Sequence, residues 1–213
     1  RNLKKKLRIV ERYSEGKGAL MDVGAGTGDF VRHAQEQGWE SYGVEPNQQA
    51  RELAHKKGAP VYSSLLMQNK AAYDVVTLWH VLEHLPDLEK SIQEISTVLK
   101  PGGWLIIALP NYRSLDAKYY KSYWAAYDVP RHLWHLSKAS VKRIFLPKGY
   151  SLVSTKPLLM DAFYISWLSE KYRNNPIAPI LGFAVGALSN LYGLFAREFS
   201  SHVYVLKRQN DPV

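Results

Sequence analysis

The 213 residues contain no cysteine. That excludes disulfides and thiolate metal sites within the chain, and nothing argues for an oxidising compartment. Acids are few: 19 Asp and Glu stand against 28 Lys and Arg, for a formal net charge of +9. This balance admits nucleic acid, an anionic membrane surface or an acidic substrate, and selects none of them. Long apolar runs are nearly absent. The first is broken by Asp22 and a set of glycines and does not read as a signal peptide. The first residue is arginine, so an upstream segment stays open. The other run, Ile177 to Ala196, has no charge and approaches membrane-spanning length. The hydrophobic share of 46% is ordinary for a globular chain, and the length suits one α/β domain with additions.

The most informative stretch is Leu20-Met21-Asp22-Val23-Gly24-Ala25-Gly26-Thr27-Gly28-Asp29-Phe30. It reads as a strand, a tight turn and the start of a helix. Glycine admits positive φ and lets a ligand approach closely, while the helix start presents unpaired N–H groups. The spacing Gly24-x-Gly26-x-Gly28 is one residue tighter than the dinucleotide fingerprint. Asp22 would repel a pyrophosphate and suits an amine or sulfonium. One βα unit later, Val44-Glu45-Pro46 ends a second strand in an acid, at the spacing that serves ribose hydroxyls.

The rest alternates. An amphipathic helix is expected over 2–13, with Lys4-Lys5-Lys6 read as a solvated face and nucleic-acid or phospholipid contact as its sharper alternative. Strands are expected at 19–23, 41–45, 60–63, 73–78, 104–109, 150–156 and 202–207. Helices are expected at 29–37, 48–57, 88–99 and 138–146, the last capped by Ser137. Pro101-Gly102-Gly103 stops the third of these. The fold class is α/β, a Rossmann-like doubly wound seven-stranded sheet, mostly parallel with an antiparallel last strand, plus a helical insertion. Residues 1–213 form one domain, with insertions at 111–136 and 157–201 as a lid over an acceptor.

Asp22-Val23-Gly24-Ala25-Gly26-Thr27-Gly28 resembles motif I of the class I S-adenosylmethionine-dependent methyltransferases. Trp79-His80-Val81-Leu82-Glu83-His84-Leu85 and Leu99-Lys100-Pro101-Gly102-Gly103 resemble the type 11, 12 and 23 members, a group that includes the ubiquinone-pathway O-methyltransferases. Pro130-Arg131-His132-Leu133-Trp134-His135-Leu136-Ser137 resembles type 23 in particular. The resemblance implies S-adenosylmethionine as cofactor, against Asp22, Gly24, Ala25, Gly26, Gly28 and Phe30. Glu45 and Pro46 would meet the ribose, Ser64 and Leu65 the adenine, and Trp79 and His80 the methionine end. Many relatives carry an acid after the third strand; here Ser63-Ser64-Leu65 stands there.

Methyl transfer needs positioning above all, and a base only where the acceptor carries a proton. His84 and His132 are the candidate bases, while His80 and His135 read as structural. His80-x-x-Glu83-His84 resembles the Glu-x-x-Glu-His metal motif of ubiquinone-pathway relatives, with histidine replacing a carboxylate. The expectation is no metal, with Glu83 and His84 bracing a loop. The expected partner is a small-molecule acceptor, aromatic or lipid-like, rather than nucleic acid. The expected location is cytoplasmic, with peripheral membrane contact open, as monomer or homodimer. An NAD(P) oxidoreductase, a non-catalytic S-adenosylmethionine- or nucleotide-binding module and an RNA methyltransferase are the rivals. A membrane span over 177–196 is rejected, because it would separate two strands that must pair. Lid, dimer interface and membrane contact remain for that segment.

Overall fold

A computed structural model describes residues 2–210. Helix α1 (Asn2–Tyr13) precedes strand β1 (Ala19–Val23), α2 (Asp29–Glu36), β2 (Glu40–Val44), α3 (Gln48–Lys56) and β3 (Val61–Tyr62). Then come β4 (Tyr73–Trp79), α4 (Leu88–Val98), β5 (Leu99–Pro110), α5 (Leu115–Tyr120), α6 (Lys138–Phe145) and β6 (Tyr150–Pro157). Two further helices, α7 (Leu159–Tyr172) and α8 (Ala178–Ala196), lead to β7 (Ser201–Arg208). The seven strands form one sheet in the order β3-β2-β1-β4-β5-β7-β6. β1 is parallel to β2 and to β4, whereas β7 runs antiparallel to both β5 and β6. The expected Rossmann-like architecture is therefore the observed one.

The pleat sends alternate residues to opposite faces. Leu20, Val75, Ile106, Val203 and Val205 pack with Leu7 and Val10 of α1 and Phe30 and Ala34 of α2. Met21, Val76, Ile107, Tyr204 and Leu206 pack with Ile92 and Ile95 of α4 and Val141 and Phe145 of α6. With both faces covered, the central strands read as unbroken apolar runs. The order reverses between β2 and β4 around β1, so a crevice opens at the carboxyl ends of these three strands.

Two details depart from expectation. β5 begins at Leu99, immediately after α4, and contains Pro101-Gly102-Gly103. Leu99 already pairs with Tyr73, and a register shift between Tyr73 and Val75 absorbs the proline and glycines. Lys6 is not on a solvated face. It falls in helical register with Leu3, Leu7 and Val10, so its stem turns inward and its ammonium sits 4.9 Å from the centre of the Trp79 ring.

The two insertions share one small core. Ala117, Tyr120, Trp124, Ala125 and Ala126 pack with Ile165 of α7 and Val185 of α8. Asp116 is fully buried at its centre. Its carboxylate accepts from Trp124 Nε1 at 2.7 Å and from the Ser189 and Ser200 hydroxyls at 2.6 Å each. One side chain thus ties α5 to α8 and to the start of β7.

His202 on β7 is buried, and its Nε2 accepts from the Phe199 N–H at 3.4 Å. Burial holds its pKa at about 4, from a usual 6.5. The unfolded chain therefore binds this proton first as pH falls. The stabilisation is complete above pH 6.5 and is lost on descent through pH 4, reaching about 3 kcal/mol. Urea denaturation across that window should show the loss, and His202→Gln should flatten the slope. Equal slopes would remove His202 as the cause.

Candidate active site

β1 ends at Val23 and the chain turns through Gly24, whose φ is +74°. A Cβ there would stand 2.4 Å from Val81, so only glycine fits the turn and its neighbour. Gly28 repeats the positive φ at +74° and caps α2. A Cβ there would press on Ala54 and Ala59. Glu45, just past β2, reaches back to this turn. Its Oε2 accepts from the Gly26 N–H at 3.0 Å and its Oε1 from the Asn47 N–H at 2.9 Å. The carboxylate therefore stands at the crevice mouth, held by backbone donors.

A cavity of about 500 Å³ opens beside it. Gly24, Glu45, Pro46, Ser63, Ser64, Leu65, Val81, His84 and Leu85 line it. Of the residues expected around a cofactor, Gly24, Glu45, Pro46, Ser64 and Leu65 come together here. Ser64 uses its hydroxyl to accept from the Leu66 N–H at 3.1 Å, closing a short turn, and Leu65 is buried beneath it. Ala25 lies in the turn, with a backbone N–H donated to Val44 O.

Asp22, Phe30 and Trp79 form a second group under the turn. Asp22 is buried and its Oδ1 accepts from the Thr77 hydroxyl at 2.6 Å. Burial raises its pKa to about 7, against the opposing pull of Thr77 and Lys6. Phe30 meets Trp79 edge-on at 5.8 Å, and Lys6 lies over both rings. Burial lowers the pKa of Lys6, while Asp22 and Asp161 oppose that shift. Sequence reasoning missed Lys6 here, although its register with Leu3 and Leu7 was a readable sign.

The loop after β4 divides this crevice from a second cavity of about 340 Å³. Val81 and His84 face the first cavity; His80 and Glu83 face the second, with Ala126, Asp128, Arg131, His132, Asp161, Tyr164, Ile165, Leu168 and Tyr172. His80 has φ +58°, uncommon for a non-glycine residue. The conformation aims its ring between two carboxylates, Nδ1 at 3.4 Å from Glu83 and Nε2 at 3.3 Å from Asp161. Desolvation opposes its charge, but these two acids outweigh it and hold the pKa at about 9. His80 is therefore a cation at neutral pH and belongs to the second cavity. Nothing in the local sequence announces Asp161, which α7 delivers from eighty-one positions away.

His84 and His132 meet edge to face with ring centres 4.5 Å apart. His84 Nδ1 lies 2.9 Å from Arg131 O, and His132 Nδ1 lies 2.8 Å from Ala126 O. With its Nδ1–H donating to Ala126 O, the neutral His132 ring turns Nε2 toward the second cavity as an acceptor, 3.8 Å from Asp128 Oδ2. Burial lowers the His132 pKa, so the ring is neutral near pH 7. His135 Nε2 lies 3.0 Å from Tyr127 O and its ring meets Tyr127, a packing arrangement. Glu83, only 1% exposed, completes a group with His84 and His132 whose ligand atoms all lie within 4.8 Å. His80 is not part of that group. Two imidazoles and a carboxylate suit a transition-metal ion, and not Mg²⁺, which prefers oxygen.

A third cavity, about 370 Å³, lies at the opposite ends of the strands, lined by Gly16, Gly18, Asp74, Lys100 and Gly102. Its central charges are already paired, Lys100 Nζ with Asp74 Oδ1 at 2.7 Å.

The Methyltransf_23 family model, a methyltransferase domain, matches residues 1–155. A ubiquinone biosynthesis O-methyltransferase of Chromobacterium violaceum is 28% identical over 117 residues, covering 50% of each chain. The chain thus spans about half the length of the curated relatives it matches. A solved S-adenosylmethionine-dependent methyltransferase from Thermotoga maritima superposes with TM-score 0.64 at 18% identity, covering 97% of this chain and 89% of that one. A phosphoethanolamine N-methyltransferase 2 from Haemonchus contortus, solved with S-adenosyl-L-methionine, gives TM-score 0.63 at 18% identity over 97% of this chain and 53% of its own. These two likenesses show the fold, and the family match agrees with the glycine turn, the Glu45 carboxylate and the crevice. The chain belongs to the class I S-adenosylmethionine-dependent methyltransferase family, in its type 23 group.

Proposed function

We propose that the chain transfers a methyl group from S-adenosylmethionine to a small acceptor with a proton-bearing oxygen and a substantial apolar part. The supporting observation is the loop 80–84, which separates two adjoining cavities and presents side chains to both. The first cavity fits the cofactor chemically. Glu45 offers a carboxylate for ribose hydroxyls, the turn at Gly24 leaves no room for a Cβ, and Val44, Leu65 and Ile95 make an apolar wall for a flat base. When bound, S-adenosylmethionine supplies an electrophilic methyl carried on a sulfonium.

The second cavity carries the acceptor role. Ile165, Leu168 and the rings of Tyr164 and Tyr172 line it. Most of its lining residues, Ala126, Arg131, His132, Ile165 and Leu168 among them, come from 111–136 and 157–201, which supports reading these segments as a lid. His132, neutral and with Nε2 available, takes the proton from the acceptor. His80 cannot do so near pH 7, because its two carboxylates keep it protonated. Its charge instead holds α7 to the loop through Asp161. No step here depends on a metal; Glu83, His84 and His132 are the residues that would hold one.

The test is production of S-adenosylhomocysteine from S-adenosylmethionine with phenolic acceptors, with and without an alkyl or prenyl tail. Turnover should rise with the tail. His132→Gln should lower it by about 10²–10⁴-fold, the usual share of a general base. Equal turnover with and without the tail would contradict the apolar part. An unchanged rate in His132→Gln would remove the base.

A further inference from the structure

Helix α8 is built inside out. The residues it buries are Ala178, Gly182, Val185, Gly186, Ser189 and Gly193, almost all small. They let α8 lie directly on α7: a Cβ at Gly182 would stand 2.5 Å from Trp167 Cα, and one at Gly186 2.8 Å from Phe163 Cα. The large apolar side chains face outward instead. Ile180, Phe183, Leu188, Leu191, Leu194 and Phe195 are all more than half exposed, Phe195 at 82%. They recur at helical spacing, and alanines fill the gaps. From Ile180 to Phe195 this makes a continuous apolar stripe roughly 22 Å long. So long an apolar surface marks an interaction site.

Charge and position single out the occupant. α8 carries no acid and no base. Cations stand around its two ends. Exposed Lys171 lies 3.9 Å above the Trp167 ring near the helix start, and Arg197 caps the helix end. Lys118 reaches Tyr192 from α5 at 3.4 Å. The nearby acids are engaged elsewhere: Asp116 and Glu170 are buried, Asp161 is turned to His80, and half-buried Glu198, next to Arg197, accepts from Asn111 Nδ2 at 2.8 Å. An apolar stripe framed by cations matches an anionic bilayer surface, with side chains among the acyl chains and ammonium groups at the phosphates. The stripe also continues to the second cavity. Phe183 stacks on Phe163 at 5.0 Å, and Tyr164 beside it both lines that cavity and is exposed. A span is excluded by Ser189, whose hydroxyl is bonded to buried Asp116, and by the antiparallel pairing of the flanking strands β6 and β7.

We infer that the outer face of α8, with the adjoining aromatic edge of α7, seats the protein flat in the interface of an anionic lipid membrane. The surface stands independently of the activity proposed above; only its use as the acceptor's entry route rests on that reading.

The test is co-sedimentation of the intact chain with vesicles of phosphatidylcholine alone and with added phosphatidylglycerol, alongside gel filtration without lipid. The wild type should bind the anionic vesicles, bind zwitterionic ones far less, and weaken with salt. Leu188→Asp and Leu191→Asp should each cut partitioning about tenfold or more, since an exposed side chain leaves the acyl layer without disturbing the protein core. Lys118→Glu with Lys171→Glu should remove the preference for anionic lipid. Binding of S-adenosylhomocysteine should stay unchanged in all of them, which separates this inference from the cofactor site. A wild type that ignores both vesicle types overturns it. A lipid-independent dimer that Leu191→Asp dissociates would assign the stripe to a second copy of this chain and overturn it as well.

Discussion

Glu45→Ala is expected to weaken binding of S-adenosylhomocysteine by a hundredfold or more. The carboxylate stands at the mouth of the crevice, where it accepts from the N–H groups of Gly26 and Asn47. Toward a ribose it would offer charge-assisted hydrogen bonds, each worth roughly 1.5–3 kcal/mol, and two of them give at least a hundredfold. The substitution also frees the Gly26 N–H, so part of the loss comes through a less ordered turn. Glu45→Gln separates the two contributions: it keeps the length and one acceptor oxygen while removing the charge. Calorimetric titration should place it between wild type and Glu45→Ala. If all three bind alike, Glu45 holds the turn and touches no ligand.

Asp116→Ala should have the largest effect on stability. It removes the acceptor for Trp124 Nε1 and for the hydroxyls of Ser189 and Ser200, all inside the core shared by α5, α7 and α8. Leaving several buried donors unpaired costs roughly 3–5 kcal/mol. Because the glycine turn and Glu45 lie outside this core, cofactor binding should survive at low temperature while methyl transfer falls away. Thermal melting read together with calorimetry checks both halves. A variant that melts like wild type would show that the network adds little. One that loses cofactor binding in proportion to stability would show that the two insertions do not form a separable lid. The shared core also means that deleting residues 157–201 alone would strip the cover from Trp124 and Tyr120, so single substitutions test the lid more cleanly.

The legible parts of the molecule were those whose cause is local. The run into Asp22, the glycine spacing and the acid ending β2 each carry their structural reason within a few residues. The alternation of strand and helix follows from them, and strands β4 and β5 declare their two-sided burial by composition. What escaped was decided at a distance. The local sequence points His80 toward the methionine end of the cofactor and says nothing of its positive φ or of Asp161 on α7, which together hold the ring at the second cavity. Lys6 looked like one of three solvated lysines until Trp79 and Phe30 were placed beneath it. The segment 177–196 was visibly apolar on all sides, yet composition could not say which side packs. Glycine and serine took the inner face because α7 lies close, leaving leucine and phenylalanine outside.

Titration of the wild-type chain with S-adenosylhomocysteine and, separately, with NAD tests the central claim most directly. The account predicts saturable one-to-one binding of S-adenosylhomocysteine, and none of NAD, because the glycine spacing is one residue tighter than the dinucleotide fingerprint. Binding of NAD without binding of S-adenosylhomocysteine would contradict it.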